Sequence, residues 1–136
     1  MQAYTALAGR IGLSLLFLVT GFGKVTAYAG TQQYMASAGI PGELLPLVIA
    51  LEIGGGLAIL AGLFTRPVAV ALALFSLASA ALFHAHFADQ NQYIHFLKNI
   101  AIAGGFLTLA ANGAGAISLD AWRRRGDASR RPVQQA

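Results

Sequence analysis

The chain has 136 residues, of which 57% are hydrophobic and only 10% charged, against roughly a quarter charged in soluble domains; too few charges remain to cover a water-facing surface, so a soluble globular domain is excluded and a lipid bilayer is the expected solvent. There is no cysteine, which excludes thiol exchange, a disulfide or a cysteine-held iron–sulfur cluster within the chain itself. The formal net charge of +4 is concentrated in a terminal cluster of Arg123, Arg124, Arg125, Arg130 and Arg131, which beside apolar spans reports membrane orientation rather than a nucleic-acid surface.

Four apolar stretches follow in order, at residues 4–27, 44–64, 67–87 and 93–111. Each is close to the roughly 20 residues that cross about 30 Å of hydrocarbon as a helix, and open strands are excluded there because lipid leaves their backbone groups unpaired. The expected fold is all-α: one polytopic four-transmembrane-helix bundle over residues 1–120, followed by a basic tail at 121–136.

The first stretch imitates a secretory signal, with Arg10, an apolar run from Ile11 to Phe22, and small residues Ala27 and Ala29 around a cleavage-like point. Lys24 interrupts that pattern, and the stretch is long enough to cross, so it is read as a retained span. Residues 28–43 are polar enough to lie outside; Thr31 is expected to cap a short helix ending near Gly39, with Pro41 preventing continuation and Tyr34, Met35 and Ala38 forming an apolar stripe at the membrane surface. Thr65 and Arg66 alone are expected to separate the second and third spans, as a tight hairpin. Residues 88–92 form a polar turn, Gly113 and Gly115 end the last span, and irregular chain is expected beyond Gly126.

Arg10, Arg66 and the terminal arginines fall on one side, while Lys24 and Lys98 border the other beside Glu43 and Asp89. The positive-inside rule then places both termini in the cytoplasm, with Trp122 as an interfacial anchor.

Glu52 is the most informative residue. It falls near the middle of the second span, where an acidic side chain costs about 3 kcal/mol on insertion scales, so it should point into the bundle. Gly55 and Gly56 share its face and permit close helix approach at its level. Its candidate counterions are Lys24 and Lys98. Two readings stand: a structural ion pair fixing helix register, or a ligand or proton site. His95, Lys98 and Asn99 share one face of the fourth span; with His84 and Asp89 at the same level they form a polar cap above Glu52. His84 and His86 point about 200° apart on an ideal helix and cannot share a metal. His84 and His95 can meet across helices, yet ordinary hydrogen bonding is the expected state of interfacial histidines. No metal site, phosphate-binding glycine loop or catalytic constellation is predicted.

Arg10, the run from Gly21 to Lys24, Glu52 before its glycines, the run from Gly62 to Arg66, Lys98 with Asn99, and the run from Gly113 to Asp120 together resemble the DoxX family of bacterial membrane proteins. The run from Gly30 to Met35 and the terminal Ser118, Leu119 and Asp120 are most similar to its inner-membrane YqjF/YphA group. The resemblance covers residues 8–120. It implies a four-helix bacterial inner-membrane protein, in a family named for a subunit of an archaeal thiosulfate:quinone oxidoreductase and linked to membrane redox complexes and thiol stress. It carries Arg10, Lys24, Glu52, Arg66 and Lys98 over as recurrent polar positions without an assigned catalytic role. The resulting expectation is an accessory or anchoring subunit for quinone- or thiol-linked redox processes, with the bilayer, an oxidoreductase partner and a second copy as candidate associates. The alternatives are a small transporter or binding protein with its site around Glu52, and a quinone-binding oxidoreductase subunit. No cofactor is predicted from the residues, and quinone is the one these readings leave possible.

Overall fold

A computed structural model describes residues 1–130; Arg131 and the five residues after it lie outside the described residues. The fold is an all-α membrane bundle with four helices long and apolar enough to cross a bilayer. These are α1 (Gln2–Thr26), α3 (Gly42–Ala61), α4 (Thr65–Phe83) and α5 (Gln90–Asn112), joined by a short α2 (Tyr28–Ser37) and followed by α6 (Leu119–Arg130).

On α1 the buried residues are Arg10, Ser14, Phe17 and Gly21, a single stripe at helical spacing. Large apolar residues such as Leu15, Val19 and Phe22 face outward, each about 60% exposed (59%, 61% and 64%). Small and polar groups inside with bulky apolar groups outside is the pattern a lipid solvent selects, because lipid gives no hydrophobic drive for helices to associate.

The chain bends at Ala27 (φ −111°) without leaving the helical path, since the Ala27 N–H still reaches Gly23 O at 3.0 Å. α2 therefore begins at Tyr28, and Thr31 is not its cap: its hydroxyl donates to Ala27 O at 2.9 Å from inside the helix. α2 ends at Gly39 as expected, with φ +77° and the Ile40 N–H closing on Met35 O at 2.9 Å. Rather than lying freely on the membrane, α2 seats Met35 in the interior and stacks Tyr34 on Phe83 at 5.2 Å.

α3 opens with a 3₁₀ turn (Gly42–Leu44), carries a five-residue π segment (Ala50–Gly54) at its centre, and resumes as α-helix (Gly55–Ala61). Gly62 stops it at φ +68°, with Gly62 N–H to Ile59 O at 3.1 Å and Leu63 N–H to Ala58 O at 2.8 Å. The hairpin turn is accordingly residues 62–64, not Thr65 and Arg66, which form the first turn of α4. Helix can start so early because Asp120 reaches back from α6: its carboxylate accepts the Phe64 and Thr65 N–H groups, both at 2.9 Å, two donors a helix start otherwise leaves unpaired. Phe64 is held at φ +47° by this clasp, under the Arg123 guanidinium 4.8 Å above its ring.

α4 ends at Phe83, short of the expected 87, because Asp89 caps α5 by accepting from Asn91 N (2.8 Å) and Gln92 N (3.2 Å) and so fixes the start of the next helix. α6 runs through Gly126 to Arg130, where irregular chain was expected. The core is Phe17, Ile59, Ala69, Leu72, Ala73, Ala103 and Phe106, with Phe17 edge-on to Phe106 at 5.4 Å. α1 packs on α3 and α4 on α5, while contact between α1 and α5 is sparse, leaving a seam between the two hairpins.

Candidate functional site

Glu52 sits within the π segment of α3, the kind of helix irregularity that recurs at functional sites. Its side chain is 4% exposed and pairs with Lys24 of α1: Nζ lies 3.0 Å from Oε1 and 2.9 Å from Oε2. Oε1 also accepts from the Thr20 hydroxyl at 3.5 Å, whereas Oε2 meets the Lys24 ammonium alone among the described residues. The close approach of α1 depends on Gly21, since a Cβ there would lie 2.8 Å from Ile53 Cγ1 and 3.1 Å from Glu52 Cβ. Thr20 and Lys24, one turn apart, then flank the carboxylate. Gly55 and Gly56 serve as expected: Cβ atoms there would lie 3.1 Å from Leu72 and 3.0 Å from Leu18.

The ion pair stands between two cavities. One, of about 290 Å³, lies under α2 with Thr31, Tyr34, Met35 and Phe83 in its walls. The other, of about 330 Å³, lies in the α1–α5 seam with Thr20, His95, Lys98 and Asn99. Lys24, Glu52, Phe75, Ser79 and His84 border both. The result is a chamber with aromatic and aliphatic walls, divided by a charged pair. Such a site can hold a polar head by hydrogen bonds while its apolar body lies along the rings.

Of the two proposed counterions the structure pairs Lys24 with Glu52; Lys98 is exposed and lines the seam cavity, with no ion pair among the described residues. His84 and His95 do meet, stacked at 5.1 Å, with His84 Nδ1 2.7 Å from Gln92 Oε1. Asn99 lines the same cavity, but Asp89 borders neither cavity and serves as the α5 cap. Arg66 is exposed near the terminal end. Arg10 is 1% exposed and donates from Nη2 to Ile117 O at 2.5 Å. Thr20, Ser79 and Gly21 were not picked out as parts of the site. Thr20 was discoverable as the residue one turn before Lys24, while Ser79 carries no signal in an alanine- and leucine-rich span. Among the described residues no three His, Asp or Glu side chains are grouped to hold a metal ion.

Fold and site together define a small polytopic helical membrane protein built around a buried ion pair that borders internal cavities. The chain belongs to the DoxX family, whose profile matches residues 5–85. It is similar to the inner membrane protein YqjF of Escherichia coli (strain K12), 54% identical over 114 residues that cover 84% of this chain and 88% of that protein. The inner membrane protein YphA of the same organism is 43% identical over 122 residues, covering 84% and 86%. A Bacillus subtilis (strain 168) protein named putative oxidoreductase CatD is 35% identical over 65 residues, 48% of each chain. No solved structure matches the chain. Four apolar helices and these relatives make it a multi-pass protein of the bacterial inner membrane.

Proposed function

We propose that the chain is a noncatalytic subunit of a membrane redox system, and that the Lys24–Glu52 chamber is where it holds a small molecule with a polar head and an apolar body, a quinone among the candidates. The observation that carries the binding reading is the placement of the pair: a structural salt bridge needs only to be buried, whereas this one is bordered by cavity on two sides. The redox association is supported by family membership and by the name of the Bacillus subtilis relative. A quinone fits the donor set in outline, with Lys24, Thr20 and Ser79 available to its carbonyl oxygens and Phe75 and Phe83 to its ring. A bound quinone would supply two-electron redox chemistry that this chain's own side chains lack; the protein's part is to bind and orient. Both termini are placed in the cytoplasm, a reading supported by Arg66, Arg123, Arg124 and Arg125 at the terminal end and Lys24 and Lys98 toward the other.

The test is native mass spectrometry and lipid extraction of the chain purified in mild detergent, wild type beside Glu52→Gln, with co-purifying proteins identified from the same preparation. A retained small molecule lost from a folded Glu52→Gln variant, together with a recurrent redox partner, is expected. A wild-type chain that emerges empty and alone would sink the proposal.

A further inference from the structure

A second group of charges gathers at the terminal end of the bundle, away from the Lys24–Glu52 chamber. Arg10 is buried and its Nη2 is bonded to Ile117 O, but its Nε and Nη1 are enclosed with no hydrogen-bond partner. Nη1 lies against Gly62, where a Cβ would collide with it, so these nitrogens are turned into the protein and give this end positive charge rather than a contact for a ligand. Arg10 forms one wall of a cavity of about 200 Å³ between α1 and α5, shared with Leu13, Leu109 and the small residues Gly9 and Gly105. A Cβ at Gly9 would meet nothing within 4 Å, so this cavity opens on the lipid-facing side.

Asn112 and Gly113 border that cavity and also a second one, of about 510 Å³, whose walls include Arg66 and Arg124. Arg66 lies across Gly113, where a Cβ would stand 3.7 Å from its Nε. Neither Arg66 nor Arg124 forms an ion pair among the described residues. The carboxylate there, Asp120, already accepts the Phe64 and Thr65 N–H groups with its two oxygens. Arg66 and Arg124 thus share one cavity with a single, already occupied carboxylate, and an apolar cavity adjoins it. α6, with Trp122 exposed and three consecutive arginines, sets this end at the level of the membrane interface.

We propose that these joined cavities bind the phosphate-bearing headgroup of an anionic lipid from the leaflet on the side of the termini. Arg66 and Arg124 hold the phosphate oxygens, and the acyl chains leave along Leu13 and Leu109. A free phosphate would use the arginines but not the apolar cavity; a lipid has both parts and resides at this depth.

The experiment is native mass spectrometry of the full chain in detergent with phosphatidylglycerol, with phosphatidylcholine of the same acyl chains, and separately with inorganic phosphate. Wild type should retain phosphatidylglycerol about tenfold better than phosphatidylcholine, the ratio expected of one or two charge-assisted contacts. Arg66→Gln with Arg124→Gln, both exposed side chains, should bring phosphatidylglycerol down to the phosphatidylcholine level. Equal retention of the two lipids by wild type overturns the proposal without recourse to any variant, and so does unchanged phosphatidylglycerol retention in the double variant. Inorganic phosphate that binds and is not displaced by phosphatidylglycerol makes this an ion site and overturns the lipid assignment.

Discussion

Lys24→Met leaves Glu52 with its carboxylate buried and its only ion contacts, at 2.9 and 3.0 Å, removed. Removing one partner of a fully buried pair costs about 3–5 kcal/mol. Here the Lys24 side chain keeps 26% of its surface exposed and the pair borders cavities, so the expected cost is discounted to roughly 2–3 kcal/mol. Glu52→Gln keeps the volume and removes the charge; the long Lys24 stem can then carry its ammonium outward, and roughly 1–2 kcal/mol is lost. Because each single variant strands the other's partner, the double variant should be more stable than the sum predicts, by roughly 1–2 kcal/mol of coupling. The assay is reversible unfolding in mixed micelles titrated with dodecyl sulfate, followed by circular dichroism, on all four proteins. Single-variant losses that add to within about 0.5 kcal/mol would show that the contact carries no net interaction. The same set separates register from binding: a double variant that regains stability without regaining its retained small molecule assigns the pair to the ligand.

Asp120→Asn should cost about 1 kcal/mol at neutral pH, within the range of a lost helix N-cap, read from the same unfolding titration. Burial pushes the Asp120 carboxyl upward, but the Thr65 and Phe64 N–H groups and nearby Arg124 outweigh it and hold the group below its ordinary value. A depressed folded value stabilises fully above the unfolded value near about 4 and is lost as pH falls through the folded one. The wild type should therefore keep its advantage over Asp120→Asn above about pH 4 and lose it in more acid solution; a constant difference down to the lowest pH would refute the clasp. Gly62→Ala should destabilise by roughly 2–4 kcal/mol, from the left-handed backbone and from collision of the new Cβ with the Arg10 guanidinium, and a variant with unchanged unfolding would show that this end is loosely packed.

The spans were legible because lipid demands a long apolar run, which composition alone reveals. Glu52 was legible for the complementary reason that a lone carboxylate in such a run must be turned inward, and the neighbouring Gly55 and Gly56 marked its face. What the sequence did not separate was Lys24 from Lys98, because both lie at one level and only the depth of α1, set by Gly21 against Ile53, decides which ammonium arrives. The π segment left no trace, since a single inserted residue changes helical phase without changing composition. The hairpin at residues 62–64 and the retained helix at α4's start were misplaced because their partner, Asp120, is 55 residues from Thr65, a separation that periodicity does not register. Arg10 was assigned to the cytoplasmic side by the orientation rule, which fixes a charge's side and says nothing of its burial.

Two clusters of polar contacts tie helices together at different levels of the bundle, Thr20, Lys24 and Glu52 at one and Arg10, Ile117 O, Gly62 and Asp120 at the other. In water such contacts would add little to a hydrophobic core. In lipid the core provides no net drive to associate, so close packing at glycines and a few polar contacts must set which helix meets which and at what depth. A polar contact that sets depth also fixes where cavities form, because the hairpins close where the contacts are and gape along the seam between them. By holding α1 against α3 beside a sparse α1–α5 contact, the pair at Glu52 shapes the chamber that it borders. On the proposed reading stability and binding at this residue share one geometry, and for that reason the double variant, rather than any single substitution, tells them apart.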